Sequence, residues 1–213
     1  MRQGGLFITV EGVEGAGKST NVQVIEDFLS EKNVDYVLTR EPGGTLISEK
    51  IRNLLLRHHE EDMEAITELL LIFAARAQHL STKIRPKLAE GKLVLCDRFT
   101  DATYAYQGAG RRCDLKLIGQ LENLVQGSLR PDLTVILDLD PHIGLERVRQ
   151  RGQLDRIESQ QLEFFQRVRG AYLDIASRER DRCLVIDSSQ TRENVKNTLR
   201  NALQERMKDY LNE

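Results

Sequence analysis

Apolar residues follow two patterns along the chain. Some form short, nearly unbroken runs; others recur every three or four positions over longer stretches. The runs are Leu6–Glu11 (LFITVE), Tyr36–Thr39 (YVLT), Leu93–Cys96 (LVLC), Leu133–Leu137 (LTVIL) and Cys183–Ile186 (CLVI). Unbroken rather than alternating runs of this length read as strands buried on both faces, as in a parallel sheet. Parallel strands need crossover connections, and helix-spaced stretches lie between the runs. After Ser19, the residues Val22, Ile25, Phe28 and Leu29 share a helix face. The longest such stretch runs roughly from Met63 to Leu88. Ile66, Leu69, Leu70, Phe73, Ala77, Leu80, Ile84 and Leu88 form its apolar stripe, and Pro86 is expected to kink or break it near its end. Val195, Leu199, Leu203 and Met207 mark a closing amphipathic helix. These elements predict an α/β fold, a doubly wound five-stranded parallel sheet in one domain over residues 1–213. Ligands of such sheets sit beyond the carboxyl ends of the strands, where Glu11, Arg40, Asp97 and Asp138 fall.

Composition narrows the class. At 213 residues the chain is long enough for one sizeable core and short for two. With 40% hydrophobic and 30% charged residues and a net charge of −2, it carries no basic field to gather a nucleic acid polymer or an anionic membrane. The apolar runs fall far short of the roughly 20 residues of a membrane span, and no signal peptide is visible. Glu60, Glu61 and Asp62 read as a solvated loop. Three cysteines without CxxC spacing argue against a disulfide framework or zinc site, so a cytoplasmic setting is expected. His58, His59, His79 and His142 show no metal-ligand pattern and read as surface or packing residues.

The strongest chemical signal is Gly12-Val13-Glu14-Gly15-Ala16-Gly17-Lys18-Ser19, which fits G-x-x-x-x-G-K-[ST] between a strand and a helix. Glycines let the backbone wrap closely, so that its N–H groups face phosphate oxygens. The helix opening at Lys18-Ser19 adds its positive end. Lys18 is expected at the β- and γ-phosphates of ATP, Ser19 on Mg²⁺, and Thr20 in the same nucleotide site. Regulatory GTPases share this loop but also need N-K-x-D, which the chain lacks. Arginines at the strand ends favour a kinase with a second phosphate site. A regulatory P-loop NTPase is the distant alternative, and another nucleoside or nucleoside monophosphate kinase the near one.

Four further motifs accompany the P-loop, in order: Thr39-Arg40-Glu41-Pro42-Gly43-Gly44, Asp97-Arg98-Phe99, Tyr104-Ala105-Tyr106-Gln107-Gly108 and Leu154-Asp155-Arg156-Ile157-Glu158. With Phe7-Ile8-Thr9-Val10-Glu11-Gly12 they cover about residues 6–187, and as a set the chain resembles the thymidylate kinase family. The resemblance implies a P-loop nucleoside monophosphate kinase fold and transfer from ATP to dTMP, giving ADP and dTDP for dTTP supply. It places Arg40 and Arg98 on the acceptor phosphate with help from Arg52, Asp97 on Mg²⁺, and Glu14 facing the 3′-hydroxyl. Glu41 is expected to assist near the metal, and the Glu41–Pro42 bond to be cis. Arg76 and Gln107 are expected on the thymine edge, with Thr103 near the ring and Phe73 stacked on it. Many family members place that phenylalanine four residues before the arginine, where this chain has Ile72. One residue turns a helix by about 100°, so Phe73 is either the stacking ring or a core residue replaced by Ile72.

Arg147, Arg149, Arg151 and Arg156, interrupted by Gly152, suggest a small lid over approximately 147–158. The P-loop carries Glu14 where some relatives carry a basic residue, so the missing cation is expected from the lid, at Arg151 or Arg156. That arrangement matches the bacterial variant of the family. Leu71, Ile72 and Ala75 lie off the main stripe of the long helix, so that helix is expected to form a homodimer.

Overall fold

The computed structural model describes residues 4–211. Its strands are β1 Phe7–Glu11, β2 Tyr36–Arg40, β3 Leu93–Asp97, β4 Leu133–Asp138 and β5 Cys183–Asp187. All pair in parallel, in the order β2-β3-β1-β4-β5. The helices are α1 Lys18–Glu31, α2 Leu46–Leu56, α3 Ala65–His79, α4 Arg85–Ala89, α5 Thr100–Thr103, α6 Leu115–Gln126, α7 Pro141–Arg149, α8 Leu162–Arg178, α9 Arg192–Arg206 and α10 Lys208–Leu211.

Both sheet faces are covered, as the unbroken apolar runs require. Ile8, Val10, Leu93 and Leu95 share one core with Ile25 and Leu29 of α1 and Leu199 and Leu203 of α9. Phe7, Val94 and Cys96, at alternate positions of the same strands, pack with Leu80, Ile84 and Phe99. The chain order reverses around β1, which lies between β3 and β4, so the binding crevice opens above the ends of these three strands.

Four strands run one residue beyond their apolar runs. Arg40 pairs with Asp97 and Asp138 with Asp187, so the charged residue at each end still belongs to the ladder. The expected long helix is a single rod that widens to a π-helical turn at Leu80–Ile84. Pro86 follows at once; it lacks an N–H and its ring would crowd the carbonyl four residues back, so a wider turn accommodates it. The apolar stripe divides. Leu69, Phe73, Leu80 and Ile84 are buried, while Ile66, Leu70 and Ala77 face solvent along its edge. A second π-helical stretch, Tyr104–Gly110, was not legible as a separate element; it carries Gln107. Among the described residues no helix is long and apolar enough to cross a membrane.

Candidate active site

The crevice is a cleft of about 920 Å³, lined by Glu14 to Thr20, the ends of β2 and β3, the inner edges of α2 and α3, and the segment 147–158. Two glycines of the phosphate loop have steric reasons. A Cβ on Gly12 would lie 2.6 Å from the Leu137 carbonyl, and one on Gly15 would lie 2.2 Å from that of Gly144. Both also hold positive φ, 140° and 72°. Gly144 matters equally, since its own Cβ would meet the Glu14 carbonyl at 2.3 Å. An isolated glycine inside a helix was the only sequence signal for it.

Gly12 and Val13 do not line the cleft; their carbonyls accept hydrogen bonds from Lys18 Nζ at 3.0 and 2.9 Å. Burial, aided by the Arg98 charge, pushes the Lys18 pKa down to about 8, against the pull of Glu14, Asp97 and Glu11. Glu14 is gripped rather than free. Arg98 Nη2 donates to its Oε1 at 2.6 Å, and the Tyr106 hydroxyl donates to its Oε2. Burial would raise the Glu14 pKa, but the charges of Arg98 and Lys18 outweigh it and hold the carboxyl below its ordinary value. Arg98 Nη1 also donates to Tyr106 Oη and to Gly12 O at 2.9 and 3.1 Å. Beneath the loop, Glu11 accepts from Phe99 N and the Tyr172 hydroxyl, both at 2.7 Å. Burial, with Asp101 adding negative charge, raises its pKa to about 7. It is a strand-end carboxylate that supports the loop from below.

Arg40, Arg52 and Arg98 line the same cleft. Arg52 Nη1 donates to Pro42 O at 2.9 Å, and the half-exposed Arg40 pairs with Glu49 at 3.0 Å. Burial and then the charges of Arg40 and Arg98 lower the Arg52 pKa, against the pull of Glu49 and Asp97. The Glu41–Pro42 bond is cis, as expected. Glu41 lines the same cleft, but both of its carboxylate oxygens are already engaged. It is buried between Arg76 Nε at 2.7 Å and His79 Nδ1 at 3.0 Å, while His79 Nε2 meets Thr39 Oγ1 at 2.7 Å. A buried carboxylate needs such partners, and removing one would cost on the order of 3–5 kcal/mol.

This network fixes Arg76, whose Nη2 donates to Phe99 O at 3.1 Å and Thr103 Oγ1 at 2.9 Å. Its Nη1 is buried and unpartnered among the described residues. Arg76, Thr103 and Gln107 all line the cleft. Phe73 does not. It is 2% exposed and packs with Leu69 and Ile118, whereas Ile72 reaches the cleft. The one-residue shift along the helix turns the ring into the core, which corrects the stacking expectation. Asp97 Oδ1 is likewise buried without a hydrogen-bond partner among the described residues, and Asp97 and Ser19 line the same cleft. An acceptor left open beside the P-loop hydroxyl fits a magnesium ion completed by phosphates and water. Among the described residues no three His, Cys, Asp or Glu side chains are grouped to hold a metal by themselves.

Arg147 Nη1 donates to Gly15 O at 3.2 Å. Arg156 is docked, with Nε on Leu55 O at 2.8 Å, Nη2 on Glu68 Oε2 at 2.6 Å and its backbone N on Leu56 O at 3.0 Å. Among the described residues the Arg151 side chain has Glu158 alone, 3.7 Å away. Glu68, Tyr106 and Ser188, whose buried Oγ lacks a partner, are cleft residues that sequence reasoning missed.

A P-loop at the switch point of a parallel sheet, facing a second subsite ringed by arginines, defines the nucleoside monophosphate kinase class of phosphotransferases. A sequence profile described as Thymidylate kinase matches residues 10–199. Thymidylate kinase from Ectopseudomonas mendocina (strain ymp) is 59% identical over 88% of this chain and 89% of its own length. That from Teredinibacter turnerae is 54% identical, covering 94% and 98%. The crystal structure of thymidylate kinase from Ehrlichia chaffeensis superposes with a TM-score of 0.75 at 39% identity, covering 94% of this chain and 99% of that one. The chain belongs to the thymidylate kinase family.

Proposed function

We propose that this protein transfers the γ-phosphoryl group of ATP to dTMP, giving ADP and dTDP for dTTP supply. An acceptor phosphate oxygen attacks the γ-phosphorus and the bond to the ADP oxygen breaks. Both reactants are polyanions, so the protein's task is position and positive charge. Lys18 holds the donor phosphates, and Arg40, Arg52 and Arg98 hold the acceptor phosphate. Ser19 and Asp97 would hold Mg²⁺, which neutralises phosphate oxygens when bound. Glu14, gripped by Arg98 and Tyr106, keeps lone pairs for the 3′-hydroxyl. The observation that carries the choice of base is Arg76 Nη1, a rigid donor without a partner among the described residues, on a side chain that lines the cleft and suited to the thymine O4 acceptor. The segment 147–158 serves as the lid of this single domain. A cytoplasmic setting belongs to the same reading, since Cys96, Cys113 and Cys183 are all free. Purified protein with ATP and each common nucleoside monophosphate should release ADP fastest with dTMP. Release that no monophosphate accelerates would refute the assignment.

The homodimer belongs to the same proposal. Of the residues expected to carry it, Ala75 is buried and Ile72 lines the cleft; the large apolar side chains left exposed are instead Ile66 and Leu70 on α3, with Leu46, Ile47 and Leu54 on the adjacent α2. Light scattering at micromolar concentration should give twice the chain mass, and Ile66→Glu with Leu70→Glu should halve it. A monomeric parent would exclude this interface.

A further inference from the structure

Glu68 is the most heavily engaged side chain of the cleft outside the arginine cluster. It stands on α3, is 1% exposed, and gathers donors from two distant parts of the chain. Gln107 Nε2 donates to Oε1 at 2.7 Å, and Arg111 Nε reaches the same oxygen at 3.3 Å. Arg156 Nη2, from the segment 147–158, donates to Oε2 at 2.6 Å. An ionised carboxylate can only accept hydrogen bonds. Burial alone would favour its protonated form, but the Arg111 charge and the hydrogen bonds of Gln107, Arg111 and Arg156 hold its pKa below the ordinary value. The Gln107 amide therefore has one permitted orientation, with its nitrogen on Glu68 and its carbonyl oxygen left for the cleft that Gln107 lines.

That orientation selects among pyrimidines. Thymine offers an N3–H donor beside its O4 acceptor. Cytosine offers a bare N3 acceptor beside an N4 amino donor. A fixed carbonyl on Gln107 and the fixed Arg76 Nη1 donor, on two side chains that line the same cleft, match the first pair and oppose both members of the second. We propose that Glu68 is a specificity-determining positioning residue: by pinning the Gln107 amide it sets the preference for a pyrimidine with N3–H. Through Arg156 on its other oxygen it ties that choice to the docked state of the lid. The inference deepens the proposed function and rests on dTMP being the acceptor.

The test is the ratio of kcat/KM for dTMP to that for dCMP. In Glu68→Gln the new amide can donate as well as accept, so Gln107 is free to flip. The ratio should fall at least tenfold, with the KM for ATP within about twofold of the parent. Glu68→Asp keeps an acceptor-only group, and its ratio should return toward the parent value. Parallel losses with both substrates and an unchanged ratio, or equal ratios in the two variants, would overturn the proposal. Should Glu68→Gln fail to fold, the ¹⁵N-labelled parent answers the same question. The Gln107 side-chain amide signal should persist with little shift when dTMP is added, because its N–H groups stay on Glu68. A large shift would show the amide donating to the base and would overturn the assignment. Absence of dTMP turnover in the parent refutes the proposed function itself, whereas normal parent turnover with an unchanged variant ratio refutes only the role of Glu68.

Discussion

Lys18→Ala should lower kcat/KM by about 10³-fold or more while the protein keeps its fold. Removing one preorganised donor aimed at developing charge already costs about 10²–10³ in rate. Lys18 brings a full charge in a partly desolvated site, so the upper end applies. Nζ rests on the Gly12 and Val13 carbonyls, at the mouth of the loop where a phosphate would replace them. The alanine variant loses those two contacts but no core packing, so its Tm should stay within about 3 °C, the equivalent of roughly 1 kcal/mol in a chain of this size. Affinity for dTMP should change little, because Arg40, Arg52 and Arg98 are untouched. Turnover within tenfold of the parent in a folded variant would remove the P-loop from the mechanism.

The phosphate loop and the arginines at the strand ends were legible because their chemistry is local. Glycine spacing, one lysine and a following hydroxyl specify a phosphate cradle within eight consecutive residues. The strands were legible for a similar reason, since burial on both faces leaves an unbroken apolar run. The roles that escaped depend on partners far away along the chain. Glu68 meets Gln107 39 residues later and Arg156 88 residues later, and no periodicity connects them. Read in sequence, Glu68 is one more polar position on a helix. The family resemblance implied a place near the metal for Glu41, and nothing local in the chain announces its buried partners. The ladder instead turns it inward, between Arg76 and His79. For Phe73 the sequence left both outcomes open, because one residue of offset decides whether a ring faces the cleft or the core, and the structure shows the core placement.

Arg151→Ala should lower kcat by about a hundredfold or more and raise the KM values much less. The charge balance of the loop sets the requirement. Arg98 is the cation nearest Glu14, and at 2.6 Å the carboxylate already neutralises much of its field. The spreading negative charge of the transferring phosphoryl then needs a further cation beyond Lys18. Two lid arginines compete for that role, and their surroundings differ. The Arg156 side chain is 13% exposed and is fastened to Glu68 and the Leu55 carbonyl, so moving it to the donor would break a buried ion pair. The Arg151 side chain is 64% exposed, with only Glu158 at 3.7 Å, a solvated pair worth under about 1 kcal/mol. It adjoins Gly152, whose φ of 123° and open surroundings leave the chain room to swing. We therefore infer that Arg151 is the residue that reaches the γ-phosphate, and that Arg156 is the anchor that keeps the lid seated. A cation engaged mainly in the transition state lowers kcat and kcat/KM together when removed. An arginine supplied in this way is worth about 10³–10⁵ in related phosphoryl transfer, so a hundredfold is a discounted expectation. Arg156→Ala should instead weaken dTMP use, with a KM effect larger than its kcat effect. If Arg151→Ala keeps kcat within a few-fold while Arg156→Ala loses it, the two roles are exchanged. If both variants keep kcat, the lid is a cover and the cation comes from elsewhere.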